Sequence, residues 1–233
     1  MIFPTLFKRR SCYFPTMWGS LIIVITLVML GGFVVKNFAT FLALNVPISS
    51  RYLVVEGWLS KVSLEQAVVE FRRGNYELII TSGGPDLSDF DSTYESYAEK
   101  ATAELIKIGV EPSKIISAPS PASAQDRTYL SAVMVRNKLL EHLKFLPESI
   151  NVFSSDVHSR RSYYLYELAF RNTETKIGIV ATDSERFNLD SWWQTSEGAK
   201  SVLTEMFGWL WTRCCFAPHD VGSYGEMWGQ KNV

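Results

Sequence analysis

Hydrophobic and polar positions fall into two patterns along this chain. From Trp18 to Val35 no residue is charged, and Leu21, Ile22, Ile23, Ile25, Val28, Leu30, Phe33 and Val34 leave no polar face. Beyond residue 50 the pattern changes to short apolar runs alternating with amphipathic stretches. The runs are Tyr52-Leu53-Val54-Val55, Leu78-Ile79-Ile80-Thr81, Lys114-Ile115-Ile116-Ser117, residues 150–154 and Ile177-Gly178-Ile179-Val180-Ala181. Four to six residues of this composition predict buried strands.

The intervening stretches carry apolar residues at helical spacing. Ser63-Leu64-Glu65-Gln66 reads as a capping box, followed by Ala67, Val68 and Phe71 and closed by Gly74. Ser92-Thr93-Tyr94-Glu95 reads as a second, with Tyr97, Ala98, Ala101, Leu105 and Ile108 behind it and Gly109 at the end. A long helix is expected over 126–144, with Leu130, Val133, Leu140 and Leu143 inward, and another over 159–170, with Leu165, Leu168 and Ala169 inward. A last helix, before Cys215, puts Val202, Leu203, Met206 and Leu210 on one side; its aromatic content reads chiefly as core packing, with contact with the membrane surface as the alternative.

Strand and helix alternating five times predict an α/β domain: a mostly parallel five-stranded sheet with helices on both faces, a three-layer sandwich. The carboxyl ends of parallel strands share one edge, where such folds bind ligands. That edge collects Glu56-Gly57, Ser82-Gly83-Gly84 and the turn Ser155-Asp156-Val157-His158-Ser159-Arg160-Arg161.

Eighteen helical residues cover about 27 Å, close to the thickness of a bilayer core, so 18–36 is expected to be one N-terminal transmembrane helix. Lys8, Arg9 and Arg10 precede it and few bases follow, with Tyr13 and Trp18 suited to the interface. The expected arrangement is therefore a cytoplasmic segment 1–17, the span, a linker 37–50, an extracytoplasmic α/β domain 51–216 and a loose tail 217–233. The protein is expected in the inner (plasma) membrane, single-pass. A cleaved signal peptide is the alternative; no small-residue cleavage site follows the apolar run.

Of 233 residues, 20% are charged and 47% hydrophobic, enough for a packed core. The net charge is −1. Residues 1–36 hold four of the 23 bases and no acid, which leaves 19 bases against 24 acids, or −5, on the rest. An acidic body with no basic run argues against nucleic acid as a partner. Cys12, Cys214 and Cys215 form no metal-ligand spacing, and adjacent cysteines rarely bridge. No metal site and no cofactor are implied, since neither a P-loop nor a dinucleotide fingerprint is present.

The candidate chemistry sits at the sheet edge. His158 is a candidate acid/base or phosphate donor, or else a structural histidine. Arg161, three residues on, shares its helix face and suits a phosphate or carboxylate, whereas Arg160 reads as solvated. Ser82, Gly83 and Gly84 let backbone approach an anion or simply form a tight turn. Arg127 and Thr128 open a helix and offer a guanidinium and a hydroxyl, or a cap. Glu56 is a paired base or a strand-end charge. Gly57 and Ser155 complete the ligand-binding set.

In order, Ser82-Gly83-Gly84, Gly109-Val110-Glu111-Pro112, Arg127-Thr128 and Ser155-x-x-His158-x-x-Arg161 resemble the bacterial YdcF/SanA/ElyC family across residues 50–213. The resemblance implies a Rossmann-like domain, a tether by one N-terminal helix and a role in the cell envelope. The chain departs from the family pattern in lacking its two acids: Tyr97-Ala98 and Thr128-Tyr129-Leu130-Ser131-Ala132 stand where relatives carry Glu. The expected function is binding or acting on an anionic, phosphorylated or lipid-linked envelope precursor in peptidoglycan biogenesis or barrier maintenance. If enzymatic, it would be hydrolysis or transfer at a phosphate ester. A non-catalytic binding or regulatory module, or a structural partner of envelope proteins, is the alternative.

Overall fold

The computed structural model describes residues 15–86, 93–122, 127–218 and 226. Five strands form one sheet: β1 (Tyr52–Glu56), β2 (Leu78–Gly83), β3 (Ile115–Pro119), β4 (Ser149–Ser154) and β5 (Lys176–Ala181). All neighbours are parallel and the order is β3-β2-β1-β4-β5. β1 is buried along its whole length, as a central strand covered on both faces must be.

Helices α2 (Lys61–Arg73) and α3 (Tyr97–Lys107) cover one face, and α4 (Arg127–Leu143) and α5 (Ser159–Ala169) the other. Alternate residues of β1 supply the two cores. Leu53 and Val55 pack with Ala67, Val68, Phe71 and Leu105, while Val54 packs with Val133, Leu139, Leu165 and Tyr166. This is the expected three-layer α/β fold, parallel throughout.

Several local expectations change. Ser60, not Ser63, caps α2 and accepts from the Ser63 amide at 3.0 Å, and Ser96 caps α3. The box pattern falls three positions late at α2 and four early at α3, because the cap is whichever hydroxyl meets the third amide. Gly74 closes α2 at an ordinary φ of −82°, where a Cβ would meet the Tyr76 ring, whereas Gly109 has the left-handed φ of 99°. Leu140 is exposed on α4. On α6 (Ser196–Cys214) Val202 is buried but Leu203 and Leu210 face outward, so the expected inward side is split. Cys214 and Cys215 are joined by a disulfide although they are neighbours.

The chain divides into two compact units, Met1–Asn37 and Phe38–Val233. The first holds most of α1 (Met17–Leu42), among the described residues the one helix long and apolar enough to cross a membrane, with none of its apolar window buried. The expected linker 37–50 is instead structured. Helix α1 continues to Leu42, and Ala39 and Leu42 are buried with Val157, Trp192 and Val202. Val46 then pairs antiparallel with Ile179, covering the open edge of β5. Arg160 is not a solvated charge: it donates to the Phe41 carbonyl and lies 3.8 Å over the Phe41 ring, closing the helix end with a cation.

The tail is likewise tied to the body: Arg171 donates to the Pro218 carbonyl at 3.1 Å, and Glu226 is buried against Arg136 at 2.6 Å. Lys8, Arg9, Arg10, Cys12, Tyr13, Ser92 and Asp126 lie outside the described residues.

Candidate functional site

The strand order reverses between β1 and β4, and at such a switch point the connections leave on opposite faces and open a crevice at the carboxyl ends. A cleft of about 880 Å³ lies there, walled by the ends of β1 and β2, the start of α4, the turn after β4, and α6.

The turn after β4 makes one short 3₁₀ turn, Asp156–His158, before α5 begins. It aims its side chains two ways. Ser159 donates to the Leu42 carbonyl at 3.3 Å and, with Arg160, holds the end of α1. His158 and Arg161 line the cleft. His158 is 8% exposed, with the Trp58 ring edge-on at 4.9 Å.

Glu205 of α6 completes this corner. Its Oε1 lies 3.0 Å from His158 Nδ1, and Arg161 grips both oxygens, Nε to Oε2 at 2.8 Å and Nη2 to Oε1 at 3.0 Å. Burial pushes the Glu205 carboxyl up. The charge and hydrogen bond of His158, with those of Arg161, outweigh it and hold the group at about 2. An ionised carboxylate only accepts, so the ring proton belongs on Nδ1. Arg161 Nη2, 2.9 Å from that nitrogen, then shares Oε1 with the ring rather than donating to it. Nε2 is left as the second ring nitrogen, buried and without a hydrogen-bond partner among the described residues. Gly208 makes the contact between α5 and α6 close: a Cβ there would sit 3.1 Å from Arg161 Nε.

Glu56 ends β1 and is 3% exposed. Ser154 donates to Oε2 at 2.6 Å and Ser162 to Oε1 at 2.7 Å, so each oxygen already holds a hydroxyl. Tyr166 lies behind it, 3.2 Å from Ser82 Oγ; burial, then the Glu56 charge, push its phenol up and keep it neutral. Glu56 is thus the centre of a hydroxyl network under the cleft floor.

On the opposite wall Gly83 adopts φ 149°, and a Cβ would lie 2.8 Å from the Tyr97 Cβ. That conformation turns β2 into the cleft, with Gly83 and Gly84 lining it beside the paired hydroxyls of Ser120 and Ser131, 3.1 Å apart. Arg127 and Thr128 stand at the first turn of α4. Arg127 is exposed and makes no ion pair among the described residues.

The structure therefore brings Glu56, Ser82, Gly83, Gly84, Arg127, Thr128, His158 and Arg161 to one cleft. It does not bring Gly57 or Ser155 to the lining. Gly57 is packed where its amide donates to the Ser82 carbonyl at 2.6 Å, and Ser155 turns its hydroxyl to Asp156. Arg161 is not a free fork for an anion, since Glu205 occupies it. Sequence reasoning missed Glu205, Trp58 and Trp211. The available signal for Glu205 is that it is the one charge in residues 201–212. Among the described residues no group of three His, Cys, Asp or Glu is placed to hold a metal ion. No protein-family model matches the chain, and neither does any curated protein.

Proposed function

We propose that this is a membrane-tethered extracytoplasmic domain of the YdcF/SanA/ElyC type that takes the anionic head of a phosphorylated, lipid-linked envelope precursor into the cleft at the β1/β4 switch point. The observation that carries this reading is the state of His158. Glu205 and Arg161 fix one ring nitrogen, and the other is buried in the cleft wall with no partner among the described residues. A ring so oriented is prepared to exchange a proton with a ligand. Arg127, Thr128 and the amino end of α4 supply positive potential opposite.

In the catalytic form, His158 Nε2 takes the proton of an attacking water or hydroxyl as its oxygen bonds to phosphorus. The ester oxygen leaves with that proton. Glu205 stabilises the transient imidazolium. The N-terminal side carries Lys8, Arg9 and Arg10, which supports a cytoplasmic N-terminus.

A second reading, binding without turnover, is favoured by one observation. Both described carboxylates lining the cleft, Glu56 and Glu205, are fully engaged by protein donors. The test uses the purified full chain in detergent with polyprenyl monophosphate and diphosphate, measuring binding and phosphate release. Release that falls by about 10²-fold or more in His158→Gln supports the enzyme. Binding without release supports the second reading, and neither binding nor release overturns both.

A further inference from the structure

The outer face of α6 is largely uncovered among the described residues, with Phe216 against the Trp211 ring at 5.7 Å. Leu203, Phe207, Leu210 and Trp211 are 43%, 66%, 46% and 47% exposed, and their spacing of four, three and one places them in one stripe. From Leu203 to Trp211 this stripe runs about 12 Å. Single exposed apolar residues are ordinary, but a contiguous aromatic stripe marks a contact surface.

Two observations identify what covers it. The first is connectivity. Residues 38–42, which follow the apolar span within the same helix, pack directly on α6 and its neighbours. Phe41 meets Trp209 edge-on at 5.2 Å, and Ala39 and Leu42 are buried with Trp192 and Val202. The second is charge. Both acids of α6 are turned away from the stripe, Glu205 to His158 and Arg161, Glu197 to Arg186. Lys200, exposed near the amino end, is left beside it, and Arg213, exposed near the other end, lies over the Tyr164 ring of α5. Apolar and aromatic side chains flanked by bases, with acids withdrawn, suit the headgroup boundary of an anionic bilayer.

We infer that α6 is an interfacial helix, its Leu203–Phe207–Leu210–Trp211 face resting in the surface of the membrane that α1 enters. Trp211 also lines the cleft, so the contact holds the cleft mouth at the headgroup level. The inference stands whether or not the cleft turns anything over.

The test is photocrosslinking of the full chain in vesicles of phosphatidylethanolamine and phosphatidylglycerol. p-Benzoylphenylalanine replaces Leu203 or Phe207, with Val69 and Leu140, exposed on α2 and α4, as controls. Lipid adducts several-fold more abundant at 203 and 207 than at 69 and 140 are expected. Equal yields at all four positions, or adducts joining 207 to a second copy of the chain in place of lipid, would overturn it.

Discussion

Glu205 carries an ionised carboxyl into a largely enclosed corner because the Arg161 guanidinium and the His158 ring meet it there. Its folded pKa of about 2 lies below its ordinary value of 4.5, so its contribution is present above about 4.5 and is lost as pH falls toward 2. That shift corresponds to stability on the order of 3 kcal/mol. Glu205→Gln should therefore be less stable than the parent by that order at neutral pH. The gap should narrow steadily from about pH 4.5 downward in urea titrations of the detergent-solubilised chain; a gap independent of pH would refute the ionised pairing. His158 and Arg161 were legible as a pair, because i, i+3 spacing on a helix is a local rule. Their partner lies 44 positions further on, across a helix crossing that no local rule encodes. The same applies to Arg160: a base beside a base reads as solvated until the end of another helix is found under it.

Elements were legible in kind more than in detail. Apolar runs gave every strand, since a strand buried on both faces must be apolar throughout. Helix starts were less secure, because a serine three or four residues either side of the true cap satisfies the same pattern. Gly83 shows what a turn demands of one residue. At φ 149° with Tyr97 Cβ in the way, Gly83→Ala should destabilise the domain by roughly 1–3 kcal/mol. A thermal melt unchanged within error would show that β2 can leave the cleft by another path.

The contact between α4 and the tail is a stronger case. Arg136 donates to both oxygens of Glu226, at 2.8 and 2.6 Å, and also to the Ala169 carbonyl. Glu226→Ala strands a buried guanidinium and should cost about 3–5 kcal/mol. Arg136→Met combined with Glu226→Leu should recover much of that loss in the same denaturation assay. If the double variant is as unstable as the single, the pair is not the source. Nothing in the composition of residues 217–233 marks this glutamate for burial.

At the scale of the whole molecule, alternation of strand and helix predicted a parallel sheet but not its order. The reversal at β1 and β4 follows from which side each crossover takes, and only that reversal creates the crevice. The supposed linker also failed at this scale. Val46 is an ordinary apolar residue in sequence, and its role appears only when β5 proves to be an edge needing cover. The proposed orientation in a membrane rests on charge alone, and the cysteines allow it to be tested directly. Cys12 precedes the span, while Cys214 and Cys215 lie in the body and are bridged. Disulfides persist on the oxidising side of a membrane and are reduced on the other. With the N-terminus inside, Cys214 and Cys215 of freshly isolated protein should be found oxidised by mass spectrometry. In sealed right-side-out vesicles an impermeant maleimide should label them only after a reductant is added, and should reach Cys12 only after the vesicles are opened. Labelling of Cys12 in sealed vesicles, with Cys214 and Cys215 protected and reduced, would put the cleft in the cytosol and remove the case for an envelope ligand.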